Sequence, residues 1–266
     1  MGRFEHLELS IKPRKRDEGY KKGYDESYYC NQARSARLNG DFEAALRYYS
    51  RALSYKIDFP EAWIGQVLCL IDLGELNEAV VWSDKGLDVI GENPELLAVK
   101  AMALGRLGEL ERALGYSDQA IRRSGNSPIL WLTRGDILVV SDQHNADRCF
   151  RKAIECEKDN PFTFLHIGIS YLSVQEFAPA ISYLKQAMIL APKSSFIPFL
   201  IGNGYRAMGL IKNAKRYYEQ ALKINPGYSE CSKALYGISQ RNPLRRLWQW
   251  FQRVFVKREE EFYEQD

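Results

Sequence analysis

The chain of 266 residues is poor in the side chains that most chemistry needs. It has three histidines, His6, His144 and His166. None is spaced with cysteines or carboxylates as metal ligands would be. Glycine-rich phosphate loops, G-x-S-x-G and H-E-x-x-H are all missing. No catalytic residue, metal or cofactor is therefore expected. The five cysteines (Cys30, Cys69, Cys149, Cys156 and Cys231) contain no C-x-x-C and no close framework. They read as reduced packing residues of a reducing, cytoplasmic compartment. No N-terminal apolar run of the kind a secretory signal needs is present. Nor is there an apolar run of about 18 residues, so no membrane span is expected. Charge is also nearly balanced, at +3 net, which gives no ground for bulk affinity for nucleic acid.

What the chain does have is a repeated pattern. Residues 161–192, PFTFLHIGISYLSVQEFAPAISYLKQAMILAP, read as two short amphipathic helices joined at Gln175-Glu176. The second carries Phe177, Ala180, Ile181, Leu184, Ala187 and Met188 at helical spacing. A lone helical hairpin of this size cannot bury its apolar face and needs copies of itself on both sides. The copies are present. Ala45, Ala79, Ala113, Ala146, Ala180 and Ala214 recur at steps of 34, 34, 33, 34 and 34 residues. Seven residues beyond them stand Ala52, Gly86, Ala120, Ala153, Ala187 and Ala221. Twelve or so before them stand Ala33, Val67, Ala101, Gly135, Gly168 and Gly202. Small residues on this beat mark places where helices cross closely while larger apolar residues fill the gaps. Gly40, Gly74, Gly108, Gln175 and Gly209 mark the turns on the same beat. The single 33-residue step falls at Ser141 to His144, where the turn is one residue short.

The pattern resembles the tetratricopeptide repeat family. Its signature is a period of about 34 with W-x2-L-G-x2-Y, then A-x3-F, then P. Trp63 and Trp131 stand at the Trp position, and Gly168 with Tyr171 and Gly202 with Tyr205 complete the G-x2-Y element. Tyr49, Phe150, Leu184 and Tyr218 occupy the later aromatic slot, where Ser83 and Ser117 depart from it. Pro192 and Pro226 match the closing Pro. Pro198 takes the place of a usual Trp, in a first helical turn where proline is tolerated. The resemblance implies an all-α fold, a right-handed α-solenoid of helix-turn-helix repeats. Six repeats are expected at 26–59, 60–93, 94–127, 128–160, 161–194 and 195–228, with a solvating helix at 229–240. Pro60, Pro94, Pro128 and Pro161 each open a repeat.

The ends differ in character. Residues 1–25 carry glycine, proline and a basic cluster at Lys12 to Arg16 without helical period, and are expected to be a mobile basic segment. Residues 243–262 form an amphipathic basic-aromatic pattern with Leu247, Trp248, Phe251 and Phe255 on one stripe. That stripe could cap the last repeat, lie on an anionic membrane, or fold back into the groove as a built-in ligand.

Function follows from the groove that the resemblance implies. Family members bind partners on the concave side, through positions 2, 5, 9, 12 and 13 of each repeat. Carried onto this chain, the candidate set is Arg34, Arg37, Ile64, Leu68, Ile71, Leu132, Val139, Phe162, Leu165, Ile169, Phe196, Phe199, Asn203 and Arg206. The Lys, Asn and Arg set with which some members clamp acidic chaperone tails is mostly missing. The floor is apolar, which suits an apolar helix or peptide of another protein. Arg34 and Arg37 are expected to steer an acidic end of it. The leading expectation is thus a non-catalytic interaction scaffold, and the alternative a membrane-peripheral protein held by the 243–262 helix.

Overall fold

A computed structural model describes residues 24–124 and 126–240; the helix expected at 243–262 and nearly all of the N-terminal basic segment lie outside them. Thirteen α-helices and no strand occur among the described residues. They form hairpins of a first and a second helix: α1 (Glu26–Leu38) and α2 (Phe42–Tyr55), α3 (Pro60–Asp72) and α4 (Leu76–Ile90), α5 (Pro94–Arg106) and α6 (Leu110–Arg123). Three more follow as α7 (Pro128–Leu138) and α8 (Gln143–Cys156), α9 (Pro161–Ser173) and α10 (Phe177–Leu190), α11 (Phe196–Ala207) and α12 (Ile211–Ile224). A last helix, α13 (Ser229–Gln240), covers the sixth hairpin through Cys231 and Ile238.

Helix boundaries follow local chemistry. Pro60, Pro94, Pro128 and Pro161 open α3, α5, α7 and α9, where a missing N–H costs nothing. Asp25, Asp41, Asn93, Asp142 and Asn160 cap N-termini with their side chains. Pro198 sits in the first turn of α11 without breaking it. Gln175 adopts φ +63°, the left-handed conformation that glycine supplies at the equivalent turns. The fourth hairpin has no left-handed residue in its turn, so the residue lost from the 33-residue step is the one that would have adopted it.

The core is a series of hydrophobic clusters within and between hairpins. The six alanines on the 34-residue beat are all fully buried. The glycines opposite them are obligatory for packing. A Cβ on Gly135 would lie 2.3 Å from a Phe150 ring atom, on Gly168 2.5 Å from Leu184 Cγ, and on Gly202 2.6 Å from the Tyr218 ring. Four of the cysteines are buried, as packing residues should be. Cys156 is exposed at the end of α8, so packing does not account for it.

The array does not stay open. The α1–α2 turn reaches the junction between the fifth and sixth hairpins. Ser194 Oγ donates to the Leu38 carbonyl at 2.7 Å across 156 residues of chain. The Phe42 and Phe196 rings meet edge to face at 5.5 Å between centroids, and Phe196 lies against Gly40. Leu38 and Phe42 thereby join the cluster built on Leu165, Ile197 and Ile201. The first helices therefore surround a nearly closed interior.

Candidate functional site

The interior has two ends of different chemistry. At the C-terminal ends of the first helices, charged side chains pair between neighbouring hairpins. Arg37 Nε donates to Asp72 at 2.7 Å. Arg106 donates through Nε and Nη2 to the two oxygens of Asp136, at 2.9 and 2.8 Å, the planar fork geometry that suits a carboxylate. Ser170 adds a hydrogen bond to Asp136 at 2.5 Å. His166 stands beside this group, its Nε2 3.9 Å from Asp136 and without a hydrogen-bond partner among the described residues.

The pairing sets the protonation states. Burial alone would raise the pKa of Asp136; the charge and hydrogen bonds of Arg106, with His166 and Ser170, outweigh it and hold the carboxyl below its usual range. Burial is also the largest influence on His166. With Arg106 and Arg37 it lowers the imidazole pKa to about 4 against the pull of Asp136 and Asp72, so the ring is neutral at pH 7. Phe42, Leu165, Ile169, Phe162 and Phe196 close over these groups, leaving a space of only about 10 Å³. This end is a plug.

The other end opens at the N-terminal ends of α3, α5, α7 and α9. It holds a cup of about 210 Å³. Ile64, Leu68, Ile129, Leu132 and Phe162 supply its apolar wall. Tyr49 enters from α2 because Gly65 leaves room for its ring, which lies 2.1 Å from where a Cβ would stand. Arg34, Glu61, Glu95, Ser127, Glu157 and Asn160 line it as well. No group of three or more His, Cys, Asp or Glu side chains able to hold a metal ion occurs among the described residues.

A hairpin array with a 34-residue beat, close small-residue crossings and a concave cup matches a known repeat at the level of sequence too. A family model described as tetratricopeptide repeat covers residues 1–157, and a second with the same description covers residues 199–228. The chain belongs to the tetratricopeptide repeat family.

The tetratricopeptide repeat fold is a scaffold for protein–protein interaction, and its members bind on the concave side. Among solved structures, the chain is similar to one in the Cut9-Hcn1 hetero-tetramer of the APC/C, at 18% identity and a TM-score of 0.50. That match covers 88% of this chain but 46% of the other, so the chain spans less than half of that relative. It is also similar to TTC0263, a thermophilic tetratricopeptide repeat protein of Thermus thermophilus, at 21% identity and a TM-score of 0.49. There the match covers 81% of this chain and 99% of that one. No curated protein matches the sequence. At these identities the likeness concerns the fold.

The structure divides the sequence-derived set. Arg34, Arg37, Ile64, Leu68, Leu132 and Phe162 line the cup. Leu165, Ile169 and Phe196 belong to the plug. Ile71 and Val139 are buried in the helical core at 2% and 6% exposure. Phe199 packs on Tyr218 and Tyr228, and Asn203 accepts a hydrogen bond from Tyr218 at 2.7 Å, so both serve the last hairpins. Arg206 is exposed and away from the cup. One expectation needs correction: Arg37 is not a free steering cation, because its charge is paired with Asp72 and its guanidinium lies over the Phe162 ring at 5.6 Å. Leu247, Trp248, Phe251 and Phe255 fall outside the described residues.

Sequence reasoning missed Tyr49, Glu157, Asn160 and His166, which lie at repeat positions outside the concave set. The Arg37–Asp72 and Arg106–Asp136 pairs carried a usable signal. Opposite charges stand 35 and 30 residues apart, about one repeat, at positions already assigned to the groove.

Proposed function

We propose that the chain is a non-catalytic binding module that takes an extended segment of another protein at the cup, with one bulky apolar residue as anchor. The observation that carries this is the cup itself: an apolar wall drawn from the first helices of three hairpins, in a space of about 210 Å³. An engineered cavity of about 150 Å³ holds benzene, so a Leu, Phe or Trp side chain suits this volume. A helical ligand suits it poorly. One turn of helix with side chains occupies on the order of 400 Å³, and the plug blocks a helix from running through the interior. This narrows the expectation of an apolar helix or peptide to the extended peptide. The membrane alternative draws support only from the sequence of residues 243–262. No described helix is long and apolar enough to cross a membrane.

Filling the cup without burying a charge tests the reading. Ile129→Trp places a large ring on the wall, and Ile189→Trp places the same ring on an exposed site at 68% exposure. Partners recovered by the wild-type chain should be lost with Ile129→Trp and kept with Ile189→Trp, while circular dichroism stays helical. Undiminished recovery with Ile129→Trp refutes the cup as the site.

A further inference from the structure

The cup has a charge signature that narrows its partner beyond the apolar anchor. Glu61 comes from α3, Glu95 from α5 and Glu157 from the segment after α8, so three separate elements bring carboxylates to one opening. None of the three has an ion-pair partner among the described residues. Glu95 accepts a hydrogen bond from Ser127, and Glu157 one from Asn160. Two lining cations oppose them, but Arg37 is neutralised by Asp72, which leaves only Arg34. Two of the carboxylates also have a local explanation. Glu61 and Glu95 sit in first helical turns, where the helix dipole favours a negative charge. Glu157 follows the end of α8, where the dipole disfavours it, and its hydrogen bond comes from Asn160, the residue that caps α9.

We propose that the cup recognises an extended peptide whose bulky apolar anchor is flanked by lysine or arginine. This rests on the reading of the cup as a peptide site. The apolar residue enters between Ile64, Leu132 and Phe162, and the flanking cations meet the three carboxylates at the opening. An acidic-ended ligand, which Arg34 and Arg37 had suggested, would meet more like charge than opposite charge there.

A library of acetylated and amidated pentapeptides tests this, because blocked ends carry no charge of their own. The central residue is Leu, Phe or Trp and the other four positions are scanned. Panned on the full chain at low salt, it should enrich Lys and Arg at the flanks. Each flanking cation should tighten binding roughly two- to fivefold, as for exposed ion pairs, and the gain should shrink as salt rises. Glu61→Gln, Glu95→Gln and Glu157→Gln combined should erase the flank preference and leave the central preference in place. Enrichment of Asp or Glu, or selection at the centre with no charge preference at the flanks, overturns the basic-flank inference and leaves the cup reading standing. Loss of selection at the centre overturns both.

Discussion

Removing the Asp136 carboxylate should be one of the most damaging single changes in the chain. Its side chain is 3% exposed and receives both donors of Arg106 together with Ser170. Asp136→Ala leaves the Arg106 guanidinium, 23% exposed at its side chain, without its partner in a low-dielectric interior. Breaking a buried pair in this way costs about 3–5 kcal/mol, mostly from the charge left behind. For a domain of this size 1 kcal/mol moves the thermal midpoint by about 2–4 °C, so a fall of about 6–20 °C is expected. The companion is Arg106→Met with Asp136→Leu, which removes both charges and keeps apolar volume. Replacing a buried pair by apolar residues is often neutral, so the double variant should melt well above the single one. The assay is a far-ultraviolet circular dichroism melt at pH 7 of wild type, single and double variants. A fall of under about 2 °C for Asp136→Ala, or a double variant no better than the single one, would refute the account of a plug built on mutual neutralisation.

Three further outcomes follow from the same geometry. His166 has a folded pKa of about 4 against an ordinary 6.5, so between those values the unfolded chain binds a proton that the folded chain refuses. Stability should therefore fall by on the order of 3 kcal/mol as pH drops from 6.5 to 4, and urea titrations of His166→Phe should show a flatter slope over that window. Gly168→Ala should destabilise by about 1–2 kcal/mol, because its Cβ would meet Leu184 and the Ala180 carbonyl. Gly115→Ala, in α6 with nothing within 4 Å, should stabilise by about 0.5–1 kcal/mol, and calorimetry should show the two shifts with opposite sign. Phe196→Ala should cost about 3–5 kcal/mol and raise amide exchange in α1, which lies about 160 residues away in sequence; unchanged exchange there would mean that the closing contact does not hold the first hairpin.

The hairpins were legible because their packing is local. Each small residue at a crossing faces a neighbour within one repeat, so the 34-residue beat of alanines and glycines records the contacts directly. The closing contact of Leu38 with Ser194 left no such mark. It depends on curvature accumulated over four hairpins, and small differences in each crossing add up before the ends meet. The same reason explains the partial yield of the groove positions. Leu132 and Phe162 were placed in the cup by repeat register alone. Phe196 occupies an equivalent position but is drawn into the seam, and Phe199 turns toward Tyr228, because the sixth hairpin has passed the point where the interior is open. Arg37 read as a ligand-facing cation because register tells which way a side chain points and not what stands opposite it.

The seam between the first hairpin and the start of the sixth also restricts how such a chain can change in length. An open array gains or loses a unit by duplication or deletion, since each unit touches only its neighbours. Here Gly40 must arrive at Phe196 and the Leu38 carbonyl at Ser194. Another unit of 34 residues between them would carry the partner surfaces past each other and strip the cover from Leu165 and Phe42. The number of units between α1 and α11 is thus fixed by where the ends must meet, whereas units added after α13 meet no such limit. Variation in copy number among related chains should accordingly concentrate at the C-terminal side, with the count before Phe196 held constant.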